Sequence, residues 1–171
     1  MGLCGGSGVW MKTFLIALLL ATIGCTTLRQ PPLRPDIYVV RHLHTPEGVK
    51  DPDLTDQGRR YALLLVEKLR RDPPDVIYVS STKRAQQTAG PLAKRLNLTP
   101  KIYNPADTPG LVNSVQHEPG TVLIVGHSNT VPEIIDRLGG QRPADLDHED
   151  FADIWHVTGP AHATSRVKLG D

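Results

Sequence analysis

The chain reads as one α/β domain, a three-layer α/β/α sandwich with a mostly parallel central sheet. Three observations predict this. Short β-branched runs alternate with longer segments of helical period. The strongest runs are apolar throughout, as strands covered on both faces are. Three of them end on polar residues where the chain turns towards a helix, and such ends share one crevice in a parallel sheet. No internal repeat or low-complexity tract follows Pro35, and 171 residues with 39% hydrophobic side chains supply enough apolar material for one core.

The elements follow in order. Ile37-Tyr38-Val39-Val40 is a buried strand that runs into Arg41-His42. Thr55-Asp56-Gln57 opens a helix with Tyr61, Ala62, Leu65, Val66 and Leu69 on its apolar face, and Pro73-Pro74 stops it. Val76-Ile77-Tyr78-Val79 is the second strand. Ser80-Ser81-Thr82 then leads into a helix over about 83–96, closed by Asn97, with Ser80 and Ser81 expected as caps rather than nucleophiles. Lys101-Ile102-Tyr103 predicts a short strand and 111–116 a short helix. Thr121-Val122-Leu123-Ile124-Val125 is the clearest strand, and it runs into Gly126-His127-Ser128-Asn129. A helix over about 130–138 has Pro132 in its first turn and Gly139-Gly140 beyond its end. Phe151 to Val157 and Thr164 to Leu169 read as closing strands.

The folded domain is assigned to 36–171, preceded by a Pro-rich tether over 26–35 and a leader over 1–25. In that leader, Lys12 precedes the apolar run Phe14 to Ala21, which is too short for a comfortable membrane span and fits a signal peptide. Ala21-Thr22-Ile23-Gly24-Cys25 resembles a bacterial lipobox, so lipidation of Cys25 is expected after a start at Met11. The expected location is a bacterial membrane surface facing the periplasm or exterior, with membrane contact through the anchor. Both cysteines, Cys4 and Cys25, precede the domain, which excludes a disulfide, a thiolate metal site or a cysteine nucleophile within it. Lys and Arg number 19 against 18 Asp and Glu, which gives no electrostatic case for a nucleic-acid partner.

The three polar strand ends bring Arg41-His42, Ser80 with Arg84, and Gly126-His127 towards one place. Two arginines and two histidines there make a cationic pocket suited to a dianionic phosphoryl group, which guanidinium binds bidentately. Helices beginning after Ser81 and Ser128 are expected to aim their N-termini at the same place. A neutral imidazole takes up a phosphoryl group without metal or organic cofactor, so His42 is the expected nucleophile. Arg41, Arg84 and a charged His127 would bind the substrate's equatorial oxygens.

These segments resemble the histidine phosphatase superfamily, which also contains the cofactor-dependent phosphoglycerate mutases. Val39-Val40-Arg41-His42 is similar to its R-H motif, and Ser80 to Thr88 to its S-x-x-x-R-A-x-Q-T segment. Gly126-His127-Ser128-Asn129-Thr130 resembles its second-histidine motif, and Leu54-Thr55-Asp56-Gln57-Gly58 its L-T-x-x-G helix start. The resemblance implies a phosphoglycerate mutase-like fold, a phosphohistidine intermediate on His42, and a phosphate pocket of Arg41, Arg84 and His127. The stretch between Arg84 and His127 is too short for the mutases' inserted subdomain, which favours a small phosphatase similar to the phosphohistidine phosphatases. The chain departs from the family in having Leu43 where a small residue is usual and His44 where an acid or amide often stands. Many members supply a carboxylic acid to the leaving oxygen from the Arg84–His127 interval, and by position Asp107 is the first candidate and Glu118 the second.

Two rival readings make distinct predictions. His42 and His44 form an H-x-H pair that His127 and an acid from Asp145 to Asp150 could complete as a metal-dependent hydrolase, although neighbouring arginines would repel a cation. A non-catalytic phosphate-binding module with the same pocket would bind phosphate without turnover. His117, His148, His156 and His162 read as surface or loop residues.

Overall fold

The computed structural model describes residues 1–2, 35–158 and 163–170; the leader with Cys25, the tether up to residue 34, and His162 lie outside the described residues. Ten elements follow one another: β1 (Ile37–Arg41), α1 (Asp56–Lys68), β2 (Val76–Ser80), α2 (Lys83–Leu96), β3 (Lys101–Tyr103), α3 (Thr108–Gln116), β4 (Val122–Gly126), α4 (Val131–Arg137), β5 (Asp153–Thr158) and β6 (Ala163–Lys168). The strands form one sheet in the order β3-β2-β4-β1-β5-β6. The first four in that order run parallel, while β5 is antiparallel to β1 and β6 to β5.

Alternation along the strands divides the core into two layers. Val40, Ile77, Val79, Leu123 and Val125 meet Ala62 and Leu65 of α1 and Ala89 and Leu92 of α2. Val39, Tyr78, Val122, Ile124 and Trp155 meet Leu111 and Val115 of α3 and Ile134 and Ile135 of α4. Full burial of each such aliphatic side chain stabilises the fold by about 1.5–3 kcal/mol relative to exposure. The expected sandwich is therefore present, with β5 and β6 making the sheet mixed.

The strand order also creates the crevice. From β1 the chain passes to β2 and on to β3, then returns through α3 to fill the place between β2 and β1 with β4. This reversal makes β1 and β4 neighbours, and their last residues, Arg41 and Gly126, lie side by side.

Several boundaries differ from the sequence expectation for local reasons. Helix α3 begins at Thr108 rather than Leu111, because the Asp107 carboxylate accepts the Gly110 N–H at 2.9 Å and Pro109 sits in the first turn. Thr82, not Ser80 or Ser81, caps α2 by accepting the Ala85 N–H. Strand β5 begins at Asp153 rather than Phe151, since Ala152 has a φ of 74°, a left-handed conformation that ends the extended run.

Candidate active site

Arg41 is the last residue of β1 and is 4% exposed. Its guanidinium donates to the Asp147 carbonyl and, at 3.1 Å, to the Asp150 carbonyl, and it lies over the Phe151 ring 4.1 Å from the centroid. Burial lowers its pKa, but a guanidinium stays charged at any working pH. The next residue, His42, is fixed through its backbone N–H to the Gly126 carbonyl at 2.9 Å. Its Nδ1 lies 3.0 Å from the Leu43 carbonyl, which only accepts, so Nδ1 carries the hydrogen and Nε2 keeps a free lone pair. Burial, reinforced by Arg41, His127 and Arg84, pushes the His42 pKa down to about 3 against the raising effect of the Leu43 carbonyl.

His127 follows directly on β4. Its backbone N–H donates to Thr130 Oγ1 at 2.9 Å, its Nε2 lies 2.9 Å from Ser80 Oγ, and Arg84 approaches its Nδ1 at 3.4 Å. Because Arg84 only donates, Nδ1 accepts and the Nε2 hydrogen goes to Ser80. Burial, with Arg84 and Arg41, pushes its pKa down to about 4. In the ligand-free site burial pushes both imidazoles, 5.4 Å apart between centroids, towards the neutral form. The charged His127 expected beside phosphate is a state of the occupied site, where a dianion would favour it.

Arg84 comes from the first turn of α2 and pairs with Asp51 at 3.3 Å. Asp51 also accepts the Lys83 N–H at 3.1 Å, so the first amides of α2 are occupied by Asp51 and Thr82 rather than open to a ligand. That departs from the expected aim of this helix end. Arg41, His42 and Arg84 line a cleft of about 240 Å³, together with Glu47, Lys50 and His148. Neither proposed acid lines it. Asp107 is spent on capping α3, and Glu118 accepts from the Tyr78 hydroxyl at 2.5 Å and from Lys101 Nζ at 2.6 Å.

The H-x-H reading gains no support from the donor geometry. The ring of His44 packs against Tyr61 at 4.9 Å and Phe151 at 4.6 Å, and among the described residues no group of three or more His, Cys, Asp or Glu is placed to hold a metal ion. Three contributors are not legible in the sequence: Asp51, Glu47 and His148 sit in loops without periodicity. Ser80, expected at the converging strand ends as a cap, instead bonds His127.

The motif residues away from the cleft hold its walls. Thr88 donates to the Arg84 carbonyl at 2.8 Å and accepts the Leu43 N–H at 3.0 Å, tying α2 to the end of β1. Gln87 accepts the Leu54 N–H at 2.8 Å. A Cβ on Gly58 would come within 2.4 Å of the His44 carbonyl oxygen, so only glycine lets α1 approach this loop. Leu43, the unusual residue after His42, is fully buried in the core and does not line the cleft.

Fold and site together define a class, and the comparisons agree with it. Residues 37–105 match the family model of the histidine phosphatase superfamily, branch 1. That match covers less than half of the chain, from the first strand to just beyond the third. It is 44% identical over 52 residues to phosphoserine phosphatase 1 of Hydrogenobacter thermophilus, a match that covers 30% of this chain and only a quarter (25%) of that protein. In fold it is similar to the protein histidine phosphatase SixA in complex with tungstate, with a TM-score of 0.60 and 18% identity over 77% of this chain and 94% of that one. It is likewise similar to the mycobacterial glucosyl-3-phosphoglycerate phosphatase in complex with VO3, with a TM-score of 0.61 and 16% identity over 79% and 98% of the two chains.

Proposed function

We propose that this protein is a phosphatase that hydrolyses a phosphomonoester or phosphoramidate through a phosphorylated His42, without metal or organic cofactor. The carrying observation is the bare Nε2 of a neutral His42 in a cleft lined by the Arg41 and Arg84 guanidiniums. In this reading Nε2 attacks phosphorus and the leaving oxygen departs opposite. Arg41, Arg84 and a His127 that gains a proton as the dianion arrives offset the charge on the three equatorial oxygens. Water then releases phosphate from His42. Substrates consistent with the pocket are small phosphate esters, envelope phosphosugars and phosphohistidine on proteins. Phosphate release from such esters in the presence of EDTA is the test, with His42→Ala expected to lose at least about a thousandfold. Equal activity in the two proteins would sink the nucleophile assignment. Loss in EDTA alone would restore the metal-dependent reading, and phosphate binding with no release would restore the binding module.

The leader supports a second part of the proposal: export, and lipid attachment at Cys25 to a bacterial membrane. No helix among the described residues is long and apolar enough to cross a membrane. Cys25→Ala is expected to move the protein from the membrane fraction to the soluble fraction of the producing cell.

A further inference from the structure

Three ionisable side chains of the cleft, Glu47, Lys50 and His148, have no part in that scheme, and two of them form a pair. Glu47 carries the one carboxylate among the described residues lining the cleft, and His148 lines it from the segment before β5. His148 Nε2 lies 3.3 Å from Glu47 Oε1, so the pair joins the loop after β1 to the segment before β5. His148 also meets the Phe151 ring edge-on at 5.9 Å, with an interplanar angle of 79°. The same ring contacts His42 at 5.8 Å and lies beneath the Arg41 guanidinium. One aromatic side chain thereby fixes the nucleophile, a phosphate-binding cation and His148 relative to one another.

The chemistry needs a proton donor here. An alkoxide leaves poorly unless it is protonated as the P–O bond breaks, and in-line attack places that oxygen on the side of phosphorus away from His42. With about 3 Å from Nε2 to phosphorus and about 3 Å of hydrogen-bond reach for the acid, the donor belongs on another wall of the same cleft. Imidazole is the side chain that exchanges a proton near neutral pH, and an adjacent carboxylate both orients it and partners its charged form.

We propose that His148, oriented by Glu47, is the acid–base residue opposite His42. This rests on the phosphatase reading above. His42 Nε2 forms a bond to phosphorus while the P–O bond to the leaving group breaks, and its electron pair stays on the leaving oxygen. That oxygen takes the proton from the His148 nitrogen not facing Glu47. In the second step a water oxygen attacks phosphorus, its proton passes to the same His148 nitrogen, and the P–N electron pair returns to His42. The sum is ester plus water giving alcohol plus phosphate, with His148 charged again at the end.

The test uses the full-length protein and two esters, glycerol phosphate and dinitrophenyl phosphate, because dinitrophenolate departs without a proton. His148→Gln is expected to lower kcat/KM for glycerol phosphate by about a hundredfold or more, while kcat/KM for the dinitrophenyl ester, which reports phosphoryl transfer to His42 and not the later attack of water, stays within about threefold of the wild type. Retained activity on the second ester also reports an intact fold. Glu47→Gln is expected to shift the same ratio in the same direction, by less. Equal losses on both esters, or no loss on either, would overturn the assignment while leaving the phosphatase reading in place. A wild-type protein inactive on both esters would overturn that reading and this one with it.

Discussion

His42 and His127 lose their protons to the same surroundings that would receive a phosphate dianion, and the consequence appears at acid pH. Their folded pKa values, about 3 and about 4, lie below the ordinary 6.5, so the unfolded chain binds more protons between those values and 6.5. The stability they contribute is complete above about pH 6.5 and is lost as pH falls towards the folded values, by up to about 1.4 kcal/mol per pH unit for each histidine. Urea unfolding at several pH values between 7 and 4.5 should show this slope, and His127→Gln should flatten it. Asp51 makes a second prediction at this scale. Its carboxylate pairs with Arg84, so on the proposed function Asp51→Asn, which keeps the acceptor for the Lys83 N–H, should tighten phosphate binding several-fold, by about 1 kcal/mol, in calorimetry. An unchanged or weaker affinity would show that the pair orients Arg84 rather than shielding it.

At the scale of elements, the cleft depends on ties between β1, α1 and α2 that pass through single side chains. Thr88→Val would leave the buried Leu43 N–H without an acceptor, and a loss of about 1–3 kcal/mol in urea unfolding is expected. Gly58→Ala would force α1 away from the His44 carbonyl, so reduced stability and reduced turnover should appear together. These ties explain what the sequence disclosed and what it hid. The apolar runs of β1, β2 and β4 predict strands because both faces of each are buried, and the period of α1 predicts a helix because one face is. The strand ends and helix start that carry Arg41, His42, Arg84 and His127 are legible in the sequence, and the structure brings Arg41, His42 and Arg84 to one cleft. The start of α3 is ambiguous in the sequence, because an aspartate before Pro109 fits a helix cap and an acid in this interval fits a proton donor equally well; the structure gives Asp107 the capping role. Glu47, Asp51 and His148 were not legible at all, since their partners are distant in sequence and only tertiary folding brings them together.

At the scale of the molecule, the parallel strands β1, β2 and β4 lead into Arg41 and His42, Arg84, and His127, and two antiparallel strands close the sheet. Because β5 runs opposite to β1, the chain must enter it at the end where β1 leaves. The segment from residue 141 to 152 is thereby delivered above the crevice, where it brings His148, Phe151 and the carbonyls that hold Arg41. On the proposed function, the residues that would grip phosphate come from the parallel half of the sheet, and the segment before the antiparallel half adds a second wall to the cleft. A lineage could rewrite the second without disturbing the first. Relatives that share this scaffold would then differ in diet while keeping the same teeth.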